Sequence, residues 1–234
     1  MADLIIALDR SDDAQALDLV DRLGDAVDFY KVGAELFTSS GPSVVRALRD
    51  RGKRVFLDLK YHDIPNTVAS AVVAARDLGV DLLTVHAAGG DGMLRAAAEA
   101  AGDDGPVIVA VTLLTSLSSS DVEQVWGRSV PSLRGEVDRL AALALACGLQ
   151  GVVASALEVE ALKRRHGSGF VVVTPGIRPA GAAADDQSRT ATAGDAARAG
   201  ADYLVVGRPV HEASDPLAVV LALRDELSLA TGVA

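Results

Sequence analysis

The sequence predicts an α/β protein of the (β/α)8 TIM-barrel class, one catalytic domain over 1–234. Three observations predict it. Short β-branched runs alternate with longer Ala- and Leu-rich helical stretches from end to end, eight of each. The runs are apolar almost without interruption, as in parallel strands covered on both faces. Half of the 234 residues are hydrophobic but only 3% aromatic, so the core is built from Ala, Val, Leu and Ile, and the length suits one such barrel. A doubly wound open sheet is the runner-up, but no Gly-x-Gly-x-x-Gly follows the first strand.

In chain order the expected strands are 4–8, 29–32, 55–59, 82–86, 107–112, 151–154, 170–174 and 203–206. Helices are expected over 12–23, 42–51, 64–78, 92–101, 133–147, 157–166 and 193–199, with 216–228 after the last strand. Pro65 fits the first turn of the third helix, where its missing N–H costs nothing. No linker, low-complexity tract or change of composition marks a second domain. The longest irregular stretches are 113–132 and 176–192. Both leave the C-terminal ends of strands, where barrels build their active sites.

The formal charge of −10, with no basic cluster along the chain, argues against a nucleic-acid or membrane-surface binder. It leaves room for a small anionic substrate, because salt screens a distant acidic surface over roughly 8–10 Å. The single cysteine, Cys147, excludes an intramolecular disulfide and reads as a buried small hydrophobe rather than a nucleophile. The first residues lack a basic n-region, and the run 4–8 is too short for a signal or a membrane span. A soluble cytoplasmic protein is the expectation.

Polar residues at the strand ends fall into two groups. Asp9 follows strand one, Lys31 lies in strand two, and Asp58-Leu59-Lys60-Tyr61-His62-Asp63 ends strand three. Residues two apart on a strand share a face, so Asp58 and Lys60 should point the same way. Lysines among carboxylates should stay protonated, because opposite charges favour the charged form. That argues against a Schiff-base lysine, which needs a depressed pKa, and favours a lysine that delivers a proton. A structural ion-pair layer and a metal site built from the Asp residues also fit these residues. His86 lacks the spaced partners of a zinc site and reads as a hydrogen-bonded wall of the pocket.

The second group is Pro175-Gly176-Ile177-Arg178 after strand seven and Gly207-Arg208-Pro209 after strand eight. Loops after these two strands commonly bind phosphate in barrels, with Gly allowing close backbone approach and Arg giving a bidentate clamp. The segment 178–187 is expected to close as a lid over that phosphate, with Gln187 as a contact.

Eight motifs in order resemble the orotidine 5′-phosphate decarboxylases. They are Ala7-Leu8-Asp9, Lys31-Val32-Gly33, the stretch 58–67, Thr84-Val85-His86-Ala87, Leu114-Thr115-Ser116, Thr174-Pro175-Gly176-Ile177-Arg178-Pro179, Asp186-Gln187 and Val206-Gly207-Arg208-Pro209. The resemblance covers essentially the whole chain, and Ile64-Pro65-Asn66-Thr67 is similar to the bacterial branch. Tyr61 stands where that family carries Phe or Leu. The resemblance implies that Lys60 protonates C6 of the pyrimidine as CO2 leaves, with Asp58 against the substrate carboxylate. Lys31 would be catalytic too, orienting that carboxylate while it binds a ribose hydroxyl; Asp9 would bind a ribose hydroxyl, and Thr115 would contact the pyrimidine ring. Arg178 would be the main phosphate clamp, joined by Gln187, Gly207 and Arg208. Asp63 would reach the neighbouring subunit's site, with Ile64 and Thr67 in the same segment, which implies a homodimer. The family uses no metal or organic cofactor. Two alternatives stand beside this reading: a magnesium-dependent 3-keto-gulonate 6-phosphate decarboxylase relative, and a non-catalytic UMP-binding barrel.

Overall fold

Strand pairing closes on itself. The computed structural model describes residues 2–179 and 190–232. It places eight parallel strands side by side in chain order: β1 Asp3–Ala7, β2 Phe29–Gly33, β3 Arg54–Tyr61, β4 Leu82–His86, β5 Val107–Val111, β6 Gly151–Val153, β7 Val171–Thr174 and β8 Tyr203–Val206. The ring closes where β1 pairs with β8, from Asp3 opposite Tyr203 to Ile6 opposite Val206. The barrel expectation holds, with strand ends shifted by one or two residues.

The eight expected helices form as Asp13–Leu23, Pro42–Asp50, Pro65–Asp77, Gly90–Ala101, Leu133–Ala146, Ala156–His166, Ala193–Arg198 and Pro216–Thr231. Local chemistry sets their starts. Asp12 accepts the Gln15 N–H at 2.8 Å, and Pro42, Pro65 and Pro216 sit in first turns. Three short helices were not expected: Ala34–Ser40, Ser119–Trp126 and Arg208–His211. The second corrects the reading of 113–132 as irregular. Ser118 and Asp121 form a reciprocal capping box that nucleates a helix there. Among the described residues no helix is long and apolar enough to cross a membrane.

Alternation along each strand divides the core in two. Outward residues such as Ile6, Tyr30, Val55 and Leu83 pack against the helices. Inward residues make a separate column containing Ile5, Ala7, Phe29, Phe56, Leu82, Val109, Val173 and Val205. Below this column Arg54 lies 4.4 Å over the Phe29 ring and pairs with Asp3 and Asp28 at 2.9 Å each. Tyr203 meets the same ring edge-on, with centroids 5.7 Å apart. The inward positions next along β1, β2 and β3 toward the opposite end are Asp9, Lys31 and Asp58. The barrel is therefore apolar at its base and charged at its mouth. Cys147 is buried, as expected, and its thiol donates to Asp91 at 3.3 Å.

Phe29 is fully enclosed in the basal layer and does not reach the mouth. Phe29→Ala should lower unfolding free energy by about 3–5 kcal/mol, read from urea denaturation, without altering ligand affinity of the folded fraction.

Candidate active site at the mouth of the barrel

The charged layer is held by one carboxylate. Asp58, at the C-terminal end of β3, accepts both oxygens' worth of contact from Lys60, whose Nζ lies 2.9 Å from Oδ1 and 2.9 Å from Oδ2. Lys31 Nζ stands 3.7 Å from Asp58 Oδ2 and donates to Asp9 Oδ1 at 2.8 Å. The side chains of Lys31 and Asp58 are only 11% and 13% exposed, so the pairing offsets a large desolvation cost. Room for it comes from glycines. A Cβ at Gly33 would approach Lys31 Nζ to 3.0 Å, and one at Gly207 would approach Asp9 Oδ2 to 3.3 Å.

Asp58 and Lys60 meet as expected, but not by simple strand alternation. The β3–β4 register jumps from Leu57 opposite Leu83 to Tyr61 opposite Val85. Three β3 residues thus face Thr84 alone, and Lys60 takes a left-handed conformation with φ +50°. For a non-glycine residue this costs about 1–3 kcal/mol and persists only when its surroundings hold it. The Lys60 N–H donates to Thr84 Oγ1 at 2.8 Å, and that hydroxyl donates to Asp58 Oδ1 at 3.0 Å. Thr84 was quoted in a motif without a role. Its signal was a hydroxyl at an inward position of β4, flanked by Leu83 and Val85.

Across the mouth, β7 and β8 supply the second group. Gly176 has φ +78°, and Ala191 N–H donates to its carbonyl at 3.4 Å while Arg178 N–H donates back to Ala191 O at 3.0 Å. Arg178 is 8% exposed, with Nη1 on the Ile177 carbonyl at 3.1 Å. Arg208 opens the short helix after Gly207. His211, in that helix, donates its ring N–H to the Ala7 carbonyl and so ties β8's loop to β1. Burial pushes the His211 pKa below its ordinary value.

One cavity of about 480 Å³ joins the two groups. Asp9, Lys31, Asp58 and Lys60 line it together with Thr115, Arg178, Gly207 and Arg208, and Asp9 and Gly207 bring the two groups side by side. Apolar side chains from the inner column, among them Phe56 and Val173, form its floor. Asp63, Ile64 and Thr67 are not part of its wall. They are exposed, Ile64 to 66%, and Asp63 accepts the Ile64 N–H at 2.6 Å. Gln187 and most of the expected lid lie outside the described residues. Among the described residues no three His, Cys, Asp or Glu side chains are grouped as metal ligands would be.

The reading of His86 as a hydrogen-bonded pocket wall is corrected. Its ring stacks on His62, with centroids 5.2 Å apart and planes at 22°, and Nδ1 has no partner among the described residues. It is not among the cavity-lining residues. Burial first, then electrostatic interaction with His62 and Lys60, pushes its pKa below the ordinary value.

Known proteins resemble this chain over nearly its whole length. Residues 2–223 match the model of the Orotidine 5′-phosphate decarboxylase / HUMPS family. An orotidine 5′-phosphate decarboxylase from Sodalis glossinidius is 50% identical over 227 residues, 96% of this chain and 89% of that protein. One from Alcanivorax borkumensis is 51% identical over 219 residues, 93% of this chain and 94% of its own. The crystal structure of the Lactobacillus acidophilus orotidine 5′-phosphate decarboxylase superposes with a TM-score of 0.86 at 38% identity, covering 97% of this chain and 99% of that one. A match of this extent to the family model, joined to relatives aligned over nearly their full lengths, makes the chain a member of the orotidine 5′-phosphate decarboxylase / HUMPS family.

Proposed function

We propose that this protein decarboxylates orotidine 5′-phosphate to UMP, as a cytoplasmic homodimer that needs no metal or organic cofactor. The observation that carries the reading is Asp58 held between Lys60 and Lys31 in the same cavity as Arg178, Gly207 and Arg208. One side is suited to a charged reaction centre and the other to a phosphate.

With phosphate on Arg178, Arg208 and the Gly207 backbone, the ribose hydroxyls meet Asp9 and Lys31, and Thr115 meets the pyrimidine. The substrate carboxylate then lies against Asp58, with the Lys60 ammonium facing C6. Cleavage of the C6–carboxylate bond releases CO2 and leaves the electron pair on C6. Lys60 Nζ transfers its proton there, giving UMP, and the neutral amine regains a proton from solvent. Charge that localises on C6 is stabilised by the ammonium more strongly than the delocalised carboxylate of the ground state, so the interaction favours the transition state. Repulsion between Asp58 and the substrate carboxylate acts in the same direction. Binding energy from the distant phosphate can be spent on closing the site, so substrate lacking phosphate should lose turnover as well as affinity.

Asp63, Ile64 and Thr67 are assigned to the cavity of a second copy. Their exposure, and the absence of all three from the wall of their own cavity, supports this division.

Three measurements test these assignments. Loss of orotidine 5′-phosphate absorbance should continue in excess EDTA; activity restored only by magnesium, or tight UMP binding without turnover, would overturn the reading. Lys60→Ala should lower kcat by roughly 10²–10⁴-fold or more with UMP affinity largely kept, whereas Arg208→Ala should cost about 2–4 kcal/mol in kcat/KM, chiefly through binding. Mixing Lys60→Ala with Asp63→Ala subunits should restore one competent site per heterodimer, and heterodimers that form without recovering activity would refute the shared site.

A further inference from the structure

The structure points to a further residue that sets the geometry of the reaction without touching the substrate: we propose that the Thr84 hydroxyl is the positioning group that fixes Lys60 and Asp58 together. The proposal rests on the decarboxylase reading for its kinetic consequence and on geometry alone for its structural one.

Thr84 is completely buried on β4 and is not among the residues lining the cavity. Its backbone serves the β4–β5 ladder, opposite Val109. Its side chain serves β3. Between Leu57 and Tyr61 the regular β3–β4 register is lost, leaving Asp58, Leu59 and Lys60 to face this one residue. The hydroxyl replaces the missing ladder by accepting the Lys60 N–H at 2.8 Å. Having accepted there, it directs its single proton to Asp58 Oδ1 at 3.0 Å. The circuit closes through the side chains, because Lys60 Nζ returns to both Asp58 oxygens at 2.9 Å. One hydroxyl therefore orients the carboxylate and also anchors the backbone from which the ammonium projects.

The left-handed conformation of Lys60 gives this anchor its leverage. An L-residue leaves that region when nothing holds it. Without an acceptor for its N–H, Lys60 relaxes toward extended backbone, and its long side chain moves with the change. Proton delivery depends on placement at the ångström level. Loss of the hydroxyl should thus be read in the chemical step, while the phosphate contacts on β7 and β8, across the barrel, are left alone.

Thr84→Val keeps the shape and removes both hydrogen bonds; Thr84→Ser keeps the hydroxyl. Thr84→Val should lower kcat by roughly 10- to 100-fold with UMP affinity nearly unchanged, and Thr84→Ser should recover most of the loss. A Thr84→Val protein with wild-type kcat, or one whose loss lies wholly in UMP affinity, would overturn the proposal, as would equal losses in the two variants. Should Thr84→Val not fold, Thr84→Ala against Thr84→Ser gives the same comparison. A crystal structure of the hydroxyl-free variant decides the point independently of turnover: the Lys60 backbone should leave the left-handed region, and its persistence with both Lys60–Asp58 contacts intact would refute the anchor. Wild-type protein assayed alongside separates the two claims, since its inactivity would sink the decarboxylase reading and leave that structural result standing.

Discussion

A carboxylate enclosed with two ammonium groups is the constraint on which this structure turns. Asp58 is nearly enclosed, and Lys31 and Lys60 set opposite charge against it, which offsets the loss of water around the carboxylate. Removing Asp58 would leave Lys31 with Asp9 as its partner and take away both Lys60 contacts. The arrangement is thereby locked, and the lock supports a backbone conformation that Lys60 would not adopt by itself. Local instability has been accepted at one residue so that an ammonium can stand over the cavity.

The rest of the barrel serves that layer. Apolar side chains fill the column up to Ala7, Phe56 and Val173, and the charges begin one inward position further along. Water-poor walls beneath strengthen each electrostatic contact above. Gly33 and Gly207 clear the space into which Lys31 and Asp9 lean. Opposite, the paired backbone of Gly176, Arg178 and Ala191 holds one arginine in a buried position, and the short helix after Gly207 carries the other. The cavity thus combines a layer of paired charges with two arginines from the last two strand ends.

Hydrophobic periodicity carried the barrel because parallel strands covered on both sides leave little ambiguity in the chain. Ala34–Ser40 and Arg208–His211 escaped notice because single-turn and two-turn helices are too short for a 3.6-residue pattern to stand out. Ser119–Trp126 carries its own start signal, the cap of Ser118 with Asp121, inside the segment read as irregular. At the site, Asp9, Lys31, Asp58 and Lys60 were legible as charges at strand ends, where burial demands pairing. The bulge that brings Asp58 and Lys60 together was not, since register depends on the partner strand. The role of Thr84 was hidden for the same reason, although its hydroxyl stood out on an inward position of β4. His86 misled because a polar residue at a strand end suggests the pocket, whereas its ring stacks on His62 instead. The outward direction of Asp63, Ile64 and Thr67 rested on family resemblance, because strand spacing does not say which cavity a loop serves.

Closure of the ring has a consequence for how the protein comes into being. Asp9 leaves the first strand, yet its neighbours are Lys31 of the second and Gly207 beyond the eighth, and His211 fastens that last loop to Ala7. The two groups of cavity residues therefore meet at the seam between the earliest and latest strands to be synthesised. A nascent chain that has emerged only as far as β7 holds most of the charged layer but neither the seam nor Arg208. The final strand–helix unit thus completes both the barrel seam and the part of the cavity wall that Gly207 and Arg208 supply.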